Sequence, residues 1–443
     1  MRRLVLLHTN DIHGRIEGLA RVATLVEGIR AEESAPVLYL DGGDVEETTV
    51  RLSSLTKGAA LHRILSAAGC DVATVGNAVW LRYGPQALAE NAAAADYPLL
   101  LANLVPVEGV LPSVVLNAGD WRVGVIGVTD DFAGVFGDFD FGMRSLPVVP
   151  LVRELARNLR AGGADLVVVL SHLGWRSPPE RGDILTDRAL AEELQDEIDL
   201  VIGAHSHDLL PEGEWVGRVL VAQAGAYAEH LGRIEVRDDG MSATVLPVGA
   251  GVPLHPAVLA TAERAERELE AHLDELIAEL DRPLDAAFVA DVFRQRFDAD
   301  VGLAVEFATL DEPIPAGPLR RGDLWAVCHS SGNPGVVELS GAQLRELLER
   351  GATPEFQNEA PNALRGRPQG RLFAVGADEI DPKRTYRVAG SDWELGVLSG
   401  LADPEWGLSP DYDFPTIVRE AVEEHLAERR AALRESTGTR APG

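Results

Sequence analysis

The feature that most narrows the folding options is a series of short apolar runs that end abruptly in Asp, Asn or His. The first, Leu4–Leu7, runs into His8-Thr9-Asn10-Asp11-Ile12-His13-Gly14. Val37–Leu40 ends in Asp41-Gly42-Gly43-Asp44, and Asp71–Val75 ends in Gly76-Asn77. Leu166–Leu170 runs into Ser171-His172, and Leu200–Gly203 into Ala204-His205-Ser206-His207. Continuous apolar runs of this length read as strands buried on both faces. The segments between them, Glu17–Glu33, Lys57–Ala68, Pro85–Ala95 and Leu151–Ala161, have helical periodicity, so the alternation predicts an α/β domain. Val114–Leu116 and Arg122–Val128 flank Ala118-Gly119-Asp120 and predict a hairpin. Val219–Ala222 and Arg233–Val236 close the domain.

The pattern changes at His255, where a charged stretch rich in Ala, Glu and Leu predicts a solvated helix through Leu280, ended by Arg282-Pro283. A second domain is expected from about Leu284 to Glu424, with strands at Val301–Phe307, Val336–Leu339 and Tyr386–Ala389. Pro354–Gly370 reads as a polar loop and Arg429–Gly443 as a disordered tail. At 443 residues the chain is long enough for two cores.

The net charge of −30 argues against a nucleic-acid polymer as partner, because no basic surface would release its counterions. The only two cysteines, Cys70 and Cys328, are far apart, so a disulfide framework is not expected. Met1-Arg2-Arg3 leads straight into the first strand and no apolar run approaches membrane-spanning length. The expectation is a cytoplasmic protein with no membrane partner.

Asp11, His13, Asp44, Asn77, His172, His205 and His207 all stand just past strand ends. In open α/β sheets ligands gather there, so residues distant in sequence can converge. Each has a bland reading alone: Asp44 as a turn cap, Asn77 in a left-handed turn, His172 as a core histidine. Together they are too many ligands for one zinc-like ion and suit two ions sharing a carboxylate, with Asp44 on its Gly-Gly turn as the natural bridge. Mixed imidazole and carboxylate donors accept Mn, Zn, Fe or Co.

These stretches, TND11-I-H13-G, GGD44, GN77, SH172-L-G and GAH205-S-H207, resemble the 5′-nucleotidase family of calcineurin-like metallophosphoesterases. The resemblance implies a four-layer α/β/β/α sandwich over residues 1–250, a linker helix over 251–283, a smaller α+β C-terminal domain over 284–428, and a tail over 429–443. It implies that Asp11, His13, Asp44 and His207 hold one divalent ion and that Asp44, Asn77, His172 and His205 hold a second. The implied chemistry is metal-assisted hydrolysis of a small phosphorylated substrate, which is possible without a protein nucleophile.

The sequence departs from the family where the third motif, Gly-Asn-His-Glu-Phe-Asp, reads Gly76-Asn77-Ala78-Val79-Trp80-Leu81-Arg82. Ala78 replaces the dyad His, and Leu81 or Arg82 replaces its Asp. Loss of such a group costs on the order of two to four powers of ten in rate. Arg82 offers a substitute positive charge, against the plain reading of a surface arginine. The C-terminal domain lacks the family's phosphate-binding arginine turn and its Gly-rich ending, and Phe356, Phe373, Trp393 and Trp406 default to core roles. Two readings follow: a metal-dependent phosphoesterase of altered activity, with Asn77 and Arg82 at the reacting phosphate, or a catalytically degenerate metal- and nucleotide-binding sensor.

Overall fold

The computed structural model describes residues 1–132, 141–177, 184–359, 369–395 and 406–436. The chain divides into two compact units, Met1–Glu266 and Arg267–Gly443.

The apolar strands of the first unit form two six-stranded mixed sheets. One runs Gly240–Pro247, His230–Arg237, Arg3–Thr9, Val37–Asp41, Val72–Thr74, Leu99–Leu100. The other runs Glu214–Val216, Val219–Ala222, Leu200–Gly203, Leu166–His172, Trp121–Thr129, Ser113–Ala118. Strand alternation divides the side chains between two buried layers. Leu4, Leu6, Leu38 and Leu40 meet Val123, Val125, Val168, Leu170 and Ile202 between the sheets. Val167, Val169 and Val201 point the other way, onto Val152, Ala156 and Leu190 of the helices Val148–Ala161 and Asp187–Glu193. Beyond the first sheet, the helix Ile16–Glu32 buries Leu19, Val22 and Val26 and contacts the strand Val37–Asp41. Helix, sheet, sheet and helix make four layers, and each fully buried Leu or Val contributes about 1.5–3 kcal/mol.

The sense of the strands is what positions the site. Arg3–Thr9, Val37–Asp41 and Val72–Thr74 are neighbours and parallel. So are Trp121–Thr129, Leu166–His172 and Leu200–Gly203. Each sheet therefore delivers its strand ends, and the polar residues that follow them, to one edge.

The second unit is built on a five-stranded sheet, Leu372–Val375, Val301–Val305, Thr385–Ser391, Pro334–Ser340, Asp411–Tyr412, beside a two-stranded ribbon. The helix Ala286–Arg296 begins where the Asp285 carboxylate accepts the Phe288 N–H at 2.9 Å, and it buries Phe288, Val292 and Phe293. Phe356 and Trp393 are buried in the core, with Phe373 and Trp406 packed against it, so all four aromatics serve packing.

Four expectations change. The charged helix is Pro256–Leu273 and stops short of Leu280. Its last carbonyls are taken by arginines, Arg320 donating to Asp274 and Arg321 to His272, while Leu276–Leu280 pairs with Gly317–Arg320 as a strand. The strand at Val301 ends at Val305, and Glu306–Thr309 turns helically as the Leu310 N–H donates to the Glu306 carbonyl at 3.0 Å. Of the loop expected over Pro354–Gly370, Glu355–Glu359 forms a π-helical turn and 360–368 lie outside the described residues. The expected tail is helical at its start, since the last helix runs Val418–Ser436, and 437–443 lie outside the described residues. Among the described residues no helix is long and apolar enough to cross a membrane.

Candidate metal centre

The loop Asn10–Gly14 runs beside the turn after the second strand and is tied to it by backbone bonds. Asp11 N donates to Gly43 O, His13 N to Asp44 O and Gly14 N to Val45 O, each at 2.9 Å. Two motifs separated by thirty residues of helix and strand are thereby fixed in register. Five of the seven candidate ligands take left-handed backbone: Asp11 (φ 51°), His13 (48°), Asp44 (55°), His205 (69°) and His207 (55°). That conformation costs a non-glycine residue about 1–3 kcal/mol and persists where the surroundings over-determine it. Its concentration here marks a site shaped for its side chains.

Two groups of ligand atoms converge, Asp11 with His13 and His207, and Asp11 with Asp44 and His172. Asp11 Oδ1 lies 3.9 Å from His13 Nε2, 3.6 Å from His207 Nε2 and 3.8 Å from His172 Nε2. Asp11 thus faces both groups, a place the sequence reading gives to Asp44. Asp44 Oδ2 is 3.2 Å from His172 Nε2, and Asp44 Oδ1 accepts the Ala78 N–H at 2.9 Å. His205 stands next to these groups, its ring 5.2 Å from that of His172 and its Nε2 3.7 Å from Asp130 Oδ2. Its backbone N–H donates to Asp11 Oδ2 at 2.9 Å. Asn77 follows the third strand, and among the described residues its buried Oδ1 has no hydrogen-bond partner. Arg82 is half-buried in the first turn of the helix Trp80–Ala94, where its backbone N–H donates to the Val79 carbonyl at 3.0 Å.

The donor set fits a divalent cation. His172 Nδ1 donates to the Gly42 carbonyl at 2.9 Å and His13 Nδ1 faces the Glu46 carbonyl at 3.3 Å, which leaves Nε2 of both rings as the ligating atom. His13 Nε2 and His207 Nε2 approach to 3.1 Å, a spacing natural for two ligands of one ion. His172 Nε2 is buried and finds no aligned hydrogen bond among the described residues. Burial lowers the pKa of His172, but Asp44 and Asp11 outweigh it and lift it to about 10. Burial also works against Asp44, yet His172 holds that carboxyl below the ordinary range. Burial pushes Asp11 up, against the pull of His172 and with Asp44 adding to it. A divalent ion held here would take the place of the proton on His172, because only neutral imidazole ligates.

Several neighbours were missed by the sequence reading. Asp130 ends the strand Trp121–Thr129 and is buried; the strand-end rule that found the others would have found it in Thr129-Asp130-Asp131. Asn10 holds Asp11 through Nδ2 at 2.7 Å, and Tyr227 carries no sequence signal for its place against His13 and His207. Behind the site His62 bridges Glu46 Oε1 at 2.6 Å and the Tyr97 hydroxyl at 2.7 Å, all three buried.

A two-sheet sandwich that gathers Asp and His at its strand ends defines a metallophosphoesterase. Residues 4–209 match the family model for calcineurin-like phosphoesterases, and residues 284–400 match that for the 5′-nucleotidase C-terminal domain. The chain belongs to this family and is a metallophosphoesterase of the 5′-nucleotidase type. It is 26% identical over 409 residues to the uncharacterized metallophosphoesterase YunD of Bacillus subtilis, covering 86% of this chain and 85% of that one. It is 24% identical to the trifunctional nucleotide phosphoesterase protein YfkN of the same organism, covering 87% of this chain but only 31% of that one. In fold it is similar to a putative 5′-nucleotidase from Staphylococcus aureus, with a TM-score of 0.64, 18% identity and 96% of each chain covered.

Proposed function

We propose that the chain hydrolyses small phosphorylated molecules with two divalent ions. Asp11, His13, Asp44 and His207 hold one ion and Asp44, Asn77, His172 and His205 the other, with Asp11 Oδ1 turned toward both. The observation that carries the reading is the concentration of left-handed backbone in these residues, together with Nδ1 atoms of His13 and His172 facing carbonyls so that Nε2 is free to ligate. Bound ions supply Lewis acidity toward water and toward phosphate oxygens. The residues of the chain fix where that acidity acts. Gly42 and Glu46 carbonyls set the ring orientation, and the Ala78 N–H keeps the Asp44 carboxylate in place.

The chain supplies no imidazole at position 78 to protonate a leaving oxygen. Position 78 carries only a methyl group, and two residues on, the buried Trp80 ring packs against Phe132 and Phe141, at 6.2 and 5.2 Å. The substrates best served have leaving groups that need no proton, phosphoanhydrides and aryl phosphates, with unactivated nucleoside monophosphates slower. The cytoplasm remains the compartment we assign. A panel of phosphoesters tested with metal-replete protein checks the reading: cleavage of an activated aryl phosphate is expected, and loss of both metal and turnover in His205→Ala. No turnover across the panel, with ligand-induced thermal stabilisation retained, supports the sensor reading that Ala78 also motivates.

A further inference from the structure

Beside the candidate centre stands a cation that the seven ligands do not use. Arg15 opens the helix Ile16–Glu32 and is exposed. Its guanidinium lies over the Tyr227 ring, 5.3 Å from the centroid. The same ring meets His207 edge-on at 5.2 Å and lies 5.6 Å from that of His13. Arg15 is therefore placed one aromatic ring away from two candidate metal ligands.

This shelf is held on several sides. The Tyr227 N–H donates to the Asp11 carbonyl at 2.7 Å. Tyr227 and Ala228 both take left-handed backbone, with φ of 60° and 55°. Gly18 lets the helix close in: a Cβ there would meet Ala228 Cβ at 2.9 Å and the Tyr227 carbonyl at 3.2 Å. Nearby carboxylates are committed elsewhere, Glu17 to Arg21 at 2.6 Å and Glu47 toward His13 at 3.6 Å. Among the described residues no carboxylate pairs with Arg15. In a chain of net charge −30, a guanidinium left with its charge uncompensated at the rim of an ion centre is suited to an anion of the substrate.

The geometry points to Arg15, seated on Tyr227, as the anchor for the second phosphate of a phosphoanhydride whose first phosphate lies at the metal centre. The inference rests on the hydrolase reading above and names its substrate class. In the reaction a water oxygen bonds to the phosphorus at the centre and the bridging P–O bond breaks. The bond's electron pair stays on the bridging oxygen, which becomes a terminal oxygen of the departing phosphate; the water protons pass to the two phosphate products and the solvent. Arg15 offsets the charge that gathers on the departing phosphate, a task that otherwise falls to a proton donor at position 78.

Isothermal titration of the full chain at saturating Mn²⁺ tests the anchor, with methylenediphosphonate and inorganic phosphate as probes. The wild type is expected to bind the diphosphonate at least about tenfold more tightly than phosphate, and Arg15→Gln to lose most of that preference. Arg15→Lys should retain part of it, and metal content should match the wild type in both variants. An unchanged preference in Arg15→Gln overturns the anchor. So does a wild type that cleaves phosphoesters yet binds both probes equally, and in that case the hydrolase reading stands. A metal-loaded wild type that cleaves no phosphoester and binds neither probe overturns both.

Discussion

Gly76→Ala is a sharp test of how closely the third strand end is fitted to the second. A Cβ at position 76 would lie 2.0 Å from Asp44 Oδ1 and 2.4 Å from Asp44 N, both well inside any real contact. The Asp44 carboxylate must retreat by about 1 Å or the Gly76-Asn77 turn must lift, since close-packed atoms do not share space. Retreat breaks the 2.9 Å bond from Ala78 N–H to Asp44 Oδ1. A hydrogen bond to a charged group is worth about 1.5–3 kcal/mol, and overpacking adds about 1–3 kcal/mol. Either motion also displaces a candidate ligand. Metal affinity should then fall at least as far as it does when an outer partner is lost, about 10–100-fold. Chelator-competition titration with Mn²⁺, beside thermal unfolding of the metal-free protein, reads both effects. Gly28→Ala is the control, because a Cβ there meets nothing within 4 Å. Wild-type metal affinity in Gly76→Ala would refute the reasoning.

Ala78→His combined with Leu81→Asp should raise turnover of alkyl phosphates by on the order of 100-fold by restoring a proton donor; steady-state kinetics with no gain in the single or double variant would show that another group already donates. His8 is fully buried, and burial lowers its pKa to about 4. The unfolded chain takes up that proton near pH 6.5 and the folded one only near 4, so stability falls as pH drops through this window, by about 3 kcal/mol once below it. The difference between urea-unfolding profiles of wild type and His8→Gln isolates the effect; parallel profiles would contradict it. Asp11→Asn should abolish binding at the His13–His207 position and weaken it beside His172, because Asp11 Oδ1 faces all three rings. Electron paramagnetic resonance of bound Mn²⁺ distinguishes this from the loss of one ion alone.

Much of the first unit was legible because its strands are buried on both faces. A run such as Leu166–Leu170 can bury both rows of side chains only in a covered sheet, and a polar residue at its end can only be at the sheet's edge. The ligands were legible for the same reason. The strand Leu276–Leu280 was not, since Leu-Ile-Ala-Glu-Leu continues a helical pattern and the pairing with Gly317–Arg320 that decides it is forty residues away. Sharing of Asp11 between two groups depends on distances across four strand ends, which spacing along the chain does not encode. Tyr227 follows the short turn Gly225-Ala226 with no strand run pointing at it, and it meets His207 from a left-handed backbone that spacing along the chain does not encode.

The central claim is a two-ion centre built from these strand ends. Inductively coupled plasma mass spectrometry on protein saturated with Mn²⁺ and freed of excess tests it most directly. The account predicts about two ions per chain in the wild type and a loss of bound metal in His172→Ala. One ion per chain in the wild type, or two ions in His172→Ala, would contradict it.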